Sequence, residues 1–313
     1  MDTPITRREA MKKGLRVSGS VALACAAGWP IQPSLKAWAG DEKAGFLIEG
    51  VGQEAGYSVQ ELTKRVFDAV GGMEQFVSKG DVVVVKPNIS WARPPDLAAT
   101  TNPEVLEAVI KMAFSAGAKK VRIADNTILN ARRCFTLTGA GTVAKKTGAD
   151  LIYPRSSLMR DMKIKGHRLD VWPVFVPLIE ADKVINIPIA KVHGLSKLTL
   201  GMKNWIGGVG GRRNALHQDI HQTIVDLARF FTPTVTLIDA IRIMTKNGPS
   251  GGSKSDVAAM NRLILSNDPV AADAKAAGLF QISPQSVGYI LLGQKQGLGT
   301  CDLTTLSQKK VIL

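Results

Sequence analysis

Asp81-Val82-Val83-Val84-Val85-Lys86-Pro87-Asn88 is the stretch from which the rest of the chain can be read. Four consecutive valines show no alternation with polar residues. An unbroken β-branched run is what a strand buried on both faces requires, and such strands belong to parallel sheets covered by helices on each side. The run ends abruptly at a lysine, a proline and an asparagine. A cation directly after so apolar a strand is not explained by ordinary turn chemistry.

The same pattern repeats outward from this point. Strands are expected at residues 46–51, 120–124, 150–153, 183–187, 234–238 and 262–266. Helical stretches alternate with them. Ser58-Val59-Gln60-Glu61 is a capping box opening a helix through Val70. Asn102-Pro103-Glu104 combines a cap, a proline at the first helical position and an early acid. Further helices are expected at 138–147, 268–280 and 283–296. The predicted fold class is α/β, a mostly parallel sheet flanked by helices, forming one large domain or two closely packed lobes. Residues 248–255 read as a Gly/Ser/Lys loop.

Polar residues gather where the strands stop. Lys86 and Asn88 follow the valine run, and Asp125-Asn126-Thr127 follow 122–124. Lys191 and His193 lie beyond 184–187, Asp239 follows 235–238, and Asn267-Asp268 follow 263–266. The C-terminal ends of parallel strands line one edge, where open α/β sheets bind ligands. The segment from Lys191 to His221 is the most basic. It holds Lys191, His193, Lys197, Lys203, Arg212, Arg213, His217 and His221, with Asp219 its one acid. Lysine side chains and backbone amides of this kind suit phosphate or carboxylate. Gly207-Gly208-Val209-Gly210-Gly211 permits close backbone approach, but no Gly-Lys-Ser/Thr follows it, so it is not a Walker loop. A mobile loop with solvated charges is the plainer reading of that segment.

His217 and His221, four apart, could share one face of a helix running to Phe231 and hold a metal. Two histidines at a core border explain the same spacing. No G-x-S-x-G motif and no glycosidase-like carboxylate pair occurs. Lys191, His193 and Lys203 are the acid–base candidates, because imidazole titrates near neutrality and buried lysine can be tuned toward it.

Composition bounds the remaining classes. The chain has 313 residues and a formal charge of +14, with 45% apolar and 5% aromatic residues. Scarce aromatics argue against stacking platforms for bases or sugars. The N-terminus reads as an export leader. Arg7-Arg8 precede the uncharged run 17–29, and Ala37-Trp38-Ala39 is a small-x-small cleavage signal. The paired arginines point to the twin-arginine (Tat) route. The 13-residue run is shorter than the roughly 20 residues of a spanning helix. An uncleaved anchor and a lipoprotein built on Cys25 remain alternatives. The expected organisation is a Tat-type signal peptide at 1–39 and a single α/β domain at 40–313. The mature part is then periplasmic or otherwise exported and keeps a charge of +10. Its partners are the Tat translocase, through the leader, and an anionic small molecule. Nucleic acid is not expected, and membrane contact is expected only through the leader. Cys134 and Cys301 are the remaining cysteines; they allow one disulfide in an oxidising compartment. Without a C-x-x-C motif, no iron–sulfur cluster is expected to be ligated by this chain alone.

The motifs Val84-Val85-Lys86-Pro87-Asn88, Asp125-Asn126-Thr127, Ala190-Lys191-Val192-His193 and Thr199-Leu200-Gly201-Met202-Lys203-Asn204 together resemble the "domain of unknown function 362" family. Leu237-Ile238-Asp239-Ala240, Asn247-Gly248-Pro249 and Asp268-Pro269-Val270-Ala271-Ala272-Asp273 extend the resemblance over about 82–297. Many relatives in that family carry ferredoxin-like cysteine clusters in an added segment, which this chain lacks. The resemblance leaves the reaction open.

On this reading Lys86, Lys191 and Lys203 neutralise a bound anion or cofactor, while Asn88, Asn126, Thr199 and Asn204 orient it. Asp125 and Asp239 hold a metal or ligand hydroxyls, and His193 transfers a proton if there is chemistry. The alternatives are a non-catalytic protein that binds or delivers a cofactor to a periplasmic redox system, and a protein docking on acidic lipid or a partner.

Overall fold

The computed structural model describes residues 45–53 and 56–313. The leader, Cys25 and the cleavage signal lie outside the described residues.

Twelve strands are present among the described residues: β1 (Phe46–Val51), β2 (Val82–Pro87), β3 (Lys120–Ala124), β4 (Asp150–Ile152), β5 (Met159–Lys163), β6 (Val171–Phe175), β7 (Lys183–Ile187), β8 (Ile189–His193), β9 (Lys197–Thr199), β10 (Val235–Met244), β11 (Val257–Ser266) and β12 (Ser307–Ile312). Ten form one sheet in the order β12-β1-β11-β10-β7-β2-β3-β4, with β8 on β10 and β9 on β8. The run from β10 through β7, β2 and β3 to β4 is parallel throughout. The protein is thus α/β with a mostly parallel central sheet.

The helices cover both faces. One layer holds α1 (Val59–Asp68), α2 (Pro103–Ser115), α3 (Ala131–Leu137) and α4 (Ala140–Thr147). The other holds α5 (Pro177–Glu180), α6 (Ile220–Phe231), α7 (Pro269–Gly278) and α8 (Gly288–Lys295). The valine run serves both layers. Val83 and Val85 pack into the first, Val84 into the second, and all three are 0% exposed. The helix starts behave as their sequences require. Ser58 Oγ accepts from Glu61 N at 3.2 Å, and Asn102 Oδ1 accepts from Glu104 N at 3.0 Å.

Several expectations are corrected. β11 runs antiparallel to β10, so Asn267-Asp268 leave at the opposite sheet edge and take no part in the rim. Asp268 instead caps α7, accepting from Ala271 N at 2.8 Å. The helix expected at 138–147 is present as α4, but the helix α3 before it, separated from α4 at Gly139 with its φ of 80°, was not expected. α6 begins at Ile220 behind the Asp219 cap, so His217 lies outside it. The two cysteines are free, and they pack into opposite layers of the sheet. The β5–β6 hairpin, β8, β9 and β12 were not anticipated.

Candidate functional site: a buried lysine cluster at the sheet edge

Strand alternation sends Lys86 to the same face as Val84. Its ammonium is fully buried, and Nζ lies 2.6 Å from Asp125 Oδ1. The ammonium also donates to the Pro87 carbonyl at 3.0 Å, while Asp125 Oδ2 accepts from Ile89 N at 2.7 Å. Gly207 closes this pair from above. A Cβ there would fall 2.1 Å from Asp125 Oδ1 and 2.9 Å from Lys86 Nζ, so only glycine fits. Burial pushes the Lys86 pKa down, and Asp125 pulls it back.

A second layer is made of amides. Asn204 Nδ2 donates to Asn186 Oδ1 at 2.8 Å and to the Lys86 carbonyl at 3.3 Å. Asn204 Oδ1 accepts from Asn88 Nδ2 at 3.2 Å. Asn88 Oδ1 faces Lys191 Nζ at 3.5 Å, and that ammonium donates to the Ala99 carbonyl at 2.5 Å. Nearby, Asn126 Nδ2 donates to the Val209 carbonyl at 2.7 Å. The Asn204 amide therefore bonds within the protein at both ends, as does the Asn126 NH2 group.

The carboxylates are tied up as well. Asp239 is completely buried and accepts from Asn102 N at 2.7 Å and Ile241 N at 3.1 Å. Burial pushes its pKa up to about 6 against those two donors. Asp239 thus anchors the start of α2, and Asp125 belongs to Lys86. Neither is free to receive a metal or ligand hydroxyl as expected from sequence.

What remains open is cationic and donor-rich. Lys203 is 8% exposed, and its ammonium has no hydrogen-bond or ion-pair partner among the described residues. Burial brings its pKa down to about 7. Lys191, fully enclosed, also falls to about 7, through burial first and the Lys203 charge second, with Asp125 opposing. Thr199 stands opposite Lys191 in the β8–β9 ladder. The hydroxyls of Thr199 and Thr100 are both buried without a hydrogen-bond partner in the protein. Such orphaned groups are uncommon in a folded core. His193 Nδ1 accepts from Leu195 N at 3.2 Å and Ser196 N at 3.3 Å, which places the ring proton on Nε2. Burial, then Lys203, His217 and Lys191, holds its pKa near 3. It is a neutral donor at pH 7.

Residues 245–256 lie against this cluster. A Cβ on Gly248 would come within 2.0 Å of the Val192 carbonyl, so the Asn247-Gly248-Pro249 motif needs its glycine for close approach to β8. An ion pair of 2.9 Å between Lys254 and Asp96 joins this loop to the segment before Ala99.

The His217–His221 pair does not share a face. The His217 ring stacks 6.2 Å from that of His193, and its Nδ1 lies 3.2 Å from the Arg213 carbonyl. The His221 ring stacks 6.4 Å from that of Tyr289, against Gly288. The break before Ile220 turns the two rings to different neighbours. Among the described residues no group of three or more His, Cys, Asp or Glu suits a metal ion.

Sequence reasoning missed four contributors. Asp273 reaches from α7 to accept from Gly201 N at 2.7 Å and Met202 N at 3.0 Å. It thereby holds the turn into the 3-10 helix Lys203–Gly208 that carries Lys203, and burial pushes its pKa up to about 7. An acid inside the alanine-rich helix Pro-Val-Ala-Ala-Asp was its signal. Asn186, one polar residue within Val184-Ile185-Asn186-Ile187, was equally visible. Thr100, and Thr101 whose hydroxyl accepts from Asn88 N at 2.9 Å and donates to the Ile187 carbonyl at 2.7 Å, carried no such signal.

A buried lysine cluster thus lies at the C-terminal edge of the parallel sheet of an α/β protein. The model of the family "domain of unknown function (DUF362)" matches residues 83–278, and the chain belongs to that family. A thylakoid-associated protein of Synechocystis sp. is 26% identical over 264 residues, covering 82% of this chain and 80% of that protein. Among solved structures, the lactate racemase apoprotein of Thermoanaerobacterium thermosaccharolyticum matches 75% of this chain at 14% identity and a TM-score of 0.45. A Thermotoga maritima protein matches 72% at 12% identity and a TM-score of 0.46. The chain spans 56% and 59% of the lengths of these two structures.

Proposed function

We propose that this chain binds a small anionic ligand, through phosphate or carboxylate oxygens, at Lys203, Lys191, His193, Thr199 and Thr100. The observation that carries this reading is the pairing pattern. Among the described residues Lys203 lacks any partner, and the two buried threonine hydroxyls lack theirs. The groups left open at these five residues can all donate. Removing charge from water without a partner is expensive, so an anion of matching size is the natural complement. Asn88, Asn204 and Asn126 act from behind, by fixing the frame.

If the site is catalytic, Lys203 is the better acid–base candidate. A pKa of about 7 matches neutral conditions, whereas an imidazole near 3 is a weak base. Isothermal titration with inorganic phosphate and with malonate tests the binding. Lys203→Met and Thr199→Val are expected to weaken it at least tenfold and about threefold. Equal affinity in the wild type and Lys203→Met would falsify the site.

We also propose export by the Tat route, supported by Arg7-Arg8, the short apolar run and the Ala37-Trp38-Ala39 signal. Replacing Arg7 and Arg8 together by lysine is expected to keep a reporter fused to the leader in the cytoplasm. Undiminished export of that variant would remove the proposal.

A further inference from the structure

The mouth of the lysine cluster is bordered by large apolar side chains that the protein leaves in solvent. Ile128 and Leu129 are each 45% exposed and follow β3. Tyr153, 36% exposed, follows β4, and Leu195, 62% exposed, sits on the β8–β9 hairpin. β3, β4 and β8 belong to the parallel set, so their C-terminal ends share one sheet edge.

These positions are linked around the mouth. Ile128 N and Leu129 N both donate to the Ser90 carbonyl, at 3.1 and 3.2 Å. Arg213 bonds the carbonyls of Asn126 and Thr127, its own carbonyl meets His217, and His217 stacks on His193 beside Leu195. On the other side Arg132 lies 5.7 Å above the Tyr153 ring, which packs 5.0 Å from Phe135. Exposed Arg132, Arg133, Arg155, Lys197 and Arg212 are interleaved with these apolar groups. Residues 126–149 and 189–218 contain no Asp or Glu.

We propose that this edge docks on an anionic lipid bilayer surface, with Ile128, Leu129, Tyr153 and Leu195 entering the headgroup region and the arginines meeting lipid phosphate. The arrangement favours a bilayer over a protein. The cations stand on stretches without Asp or Glu, 126–149 and 189–218, a one-signed rim that matches a uniformly anionic surface. Arginine stems and tyrosine rings with apolar bodies and polar tips suit the membrane interface. No described helix is long and apolar enough to cross a membrane, so the contact is peripheral. Membrane contact then extends beyond the leader and places the ligand site at the lipid surface.

Hydrogen–deuterium exchange of the full-length chain tests this independently of the leader. Phosphatidylcholine vesicles with phosphatidylglycerol are expected to protect peptides spanning 127–137 and 194–197 several-fold, and to leave 307–312 unchanged. Pure phosphatidylcholine should protect far less, and added salt should reverse the effect. The double variant Arg132→Glu/Arg133→Glu should lose most of the protection, while Lys309→Glu/Lys310→Glu on β12 retains it. Equal loss in both double variants means diffuse charge attraction and overturns the proposal, as does no protection at all. Protection that needs no lipid also overturns it. If that protection rises with protein concentration it assigns the edge to a second copy of the chain, and otherwise to residues 1–44.

Discussion

Lys86 and Lys203 sit at the same sheet edge, yet their surroundings are opposite. Lys86 has a carboxylate at 2.6 Å, a carbonyl at 3.0 Å and a glycine lid too tight for a Cβ. Lys203 has no partner among the described residues, and the buried hydroxyls of Thr199 and Thr100 have none either. The first arrangement is complete and therefore architectural. The second is incomplete and therefore has room for a ligand. Burial alone does not separate them; the state of the counter-charge does.

The largest effect should come from breaking the complete pair. Asp125→Ala leaves a buried ammonium uncompensated and is expected to cost about 3–5 kcal/mol in urea unfolding. The joint change Lys86→Met/Asp125→Leu should recover much of that loss, because an apolar pair of similar size needs no counter-charge. A loss under about 1 kcal/mol for Asp125→Ala would place the pair outside the folding architecture.

At the incomplete station the sign reverses. Lys203→Met removes an unpaired buried cation and should stabilise the free protein by about 1–3 kcal/mol at neutral pH. The pH dependence follows the same logic. Lys191 and Lys203 fall from 10.5 to about 7 on folding, so between those values the unfolded chain holds more protons and stability rises with pH. Asp273 and Asp239 rise from 3.8 to about 7 and about 6, so over that lower window the folded chain holds more protons and stability falls as pH rises. Stability should therefore pass through a minimum near pH 7. Lys203→Met should flatten the alkaline limb and leave the acidic limb unchanged. A monotonic profile in the wild type would contradict the comparison.

Much of the frame was legible from local pattern. A valine run without alternation announced a doubly covered strand, and it packs into both layers. Ser58 and Asn102 announced helix starts, and each caps one. Strands with a strong partner-imposed shape were harder. β5 and β6 mix Pro173, Arg160 and Asp161 into a hairpin whose pairing no period reveals. Strand direction was invisible, and the antiparallel turn at β11 removed Asn267-Asp268 from the rim. The partnering of charges was hidden for the same reason. Asp125 and Asp239 looked as available as any acid, until Lys86 and the backbone at Asn102 and Ile241 were found bound to them. His217 and His221 looked like a ligand pair, until Asp219 started the helix between them.

The sequence by itself determined the α/β class, the buried central strand and the concentration of cations between Lys191 and Arg213, because periodicity and composition are local. Only the tertiary structure decided which cation has its counter-ion. Pairing joins residues as far apart as Lys86 and Asp125, Asn102 and Asp239, or Gly201 and Asp273. No local pattern encodes that distance; the strand order and the direction of each strand do.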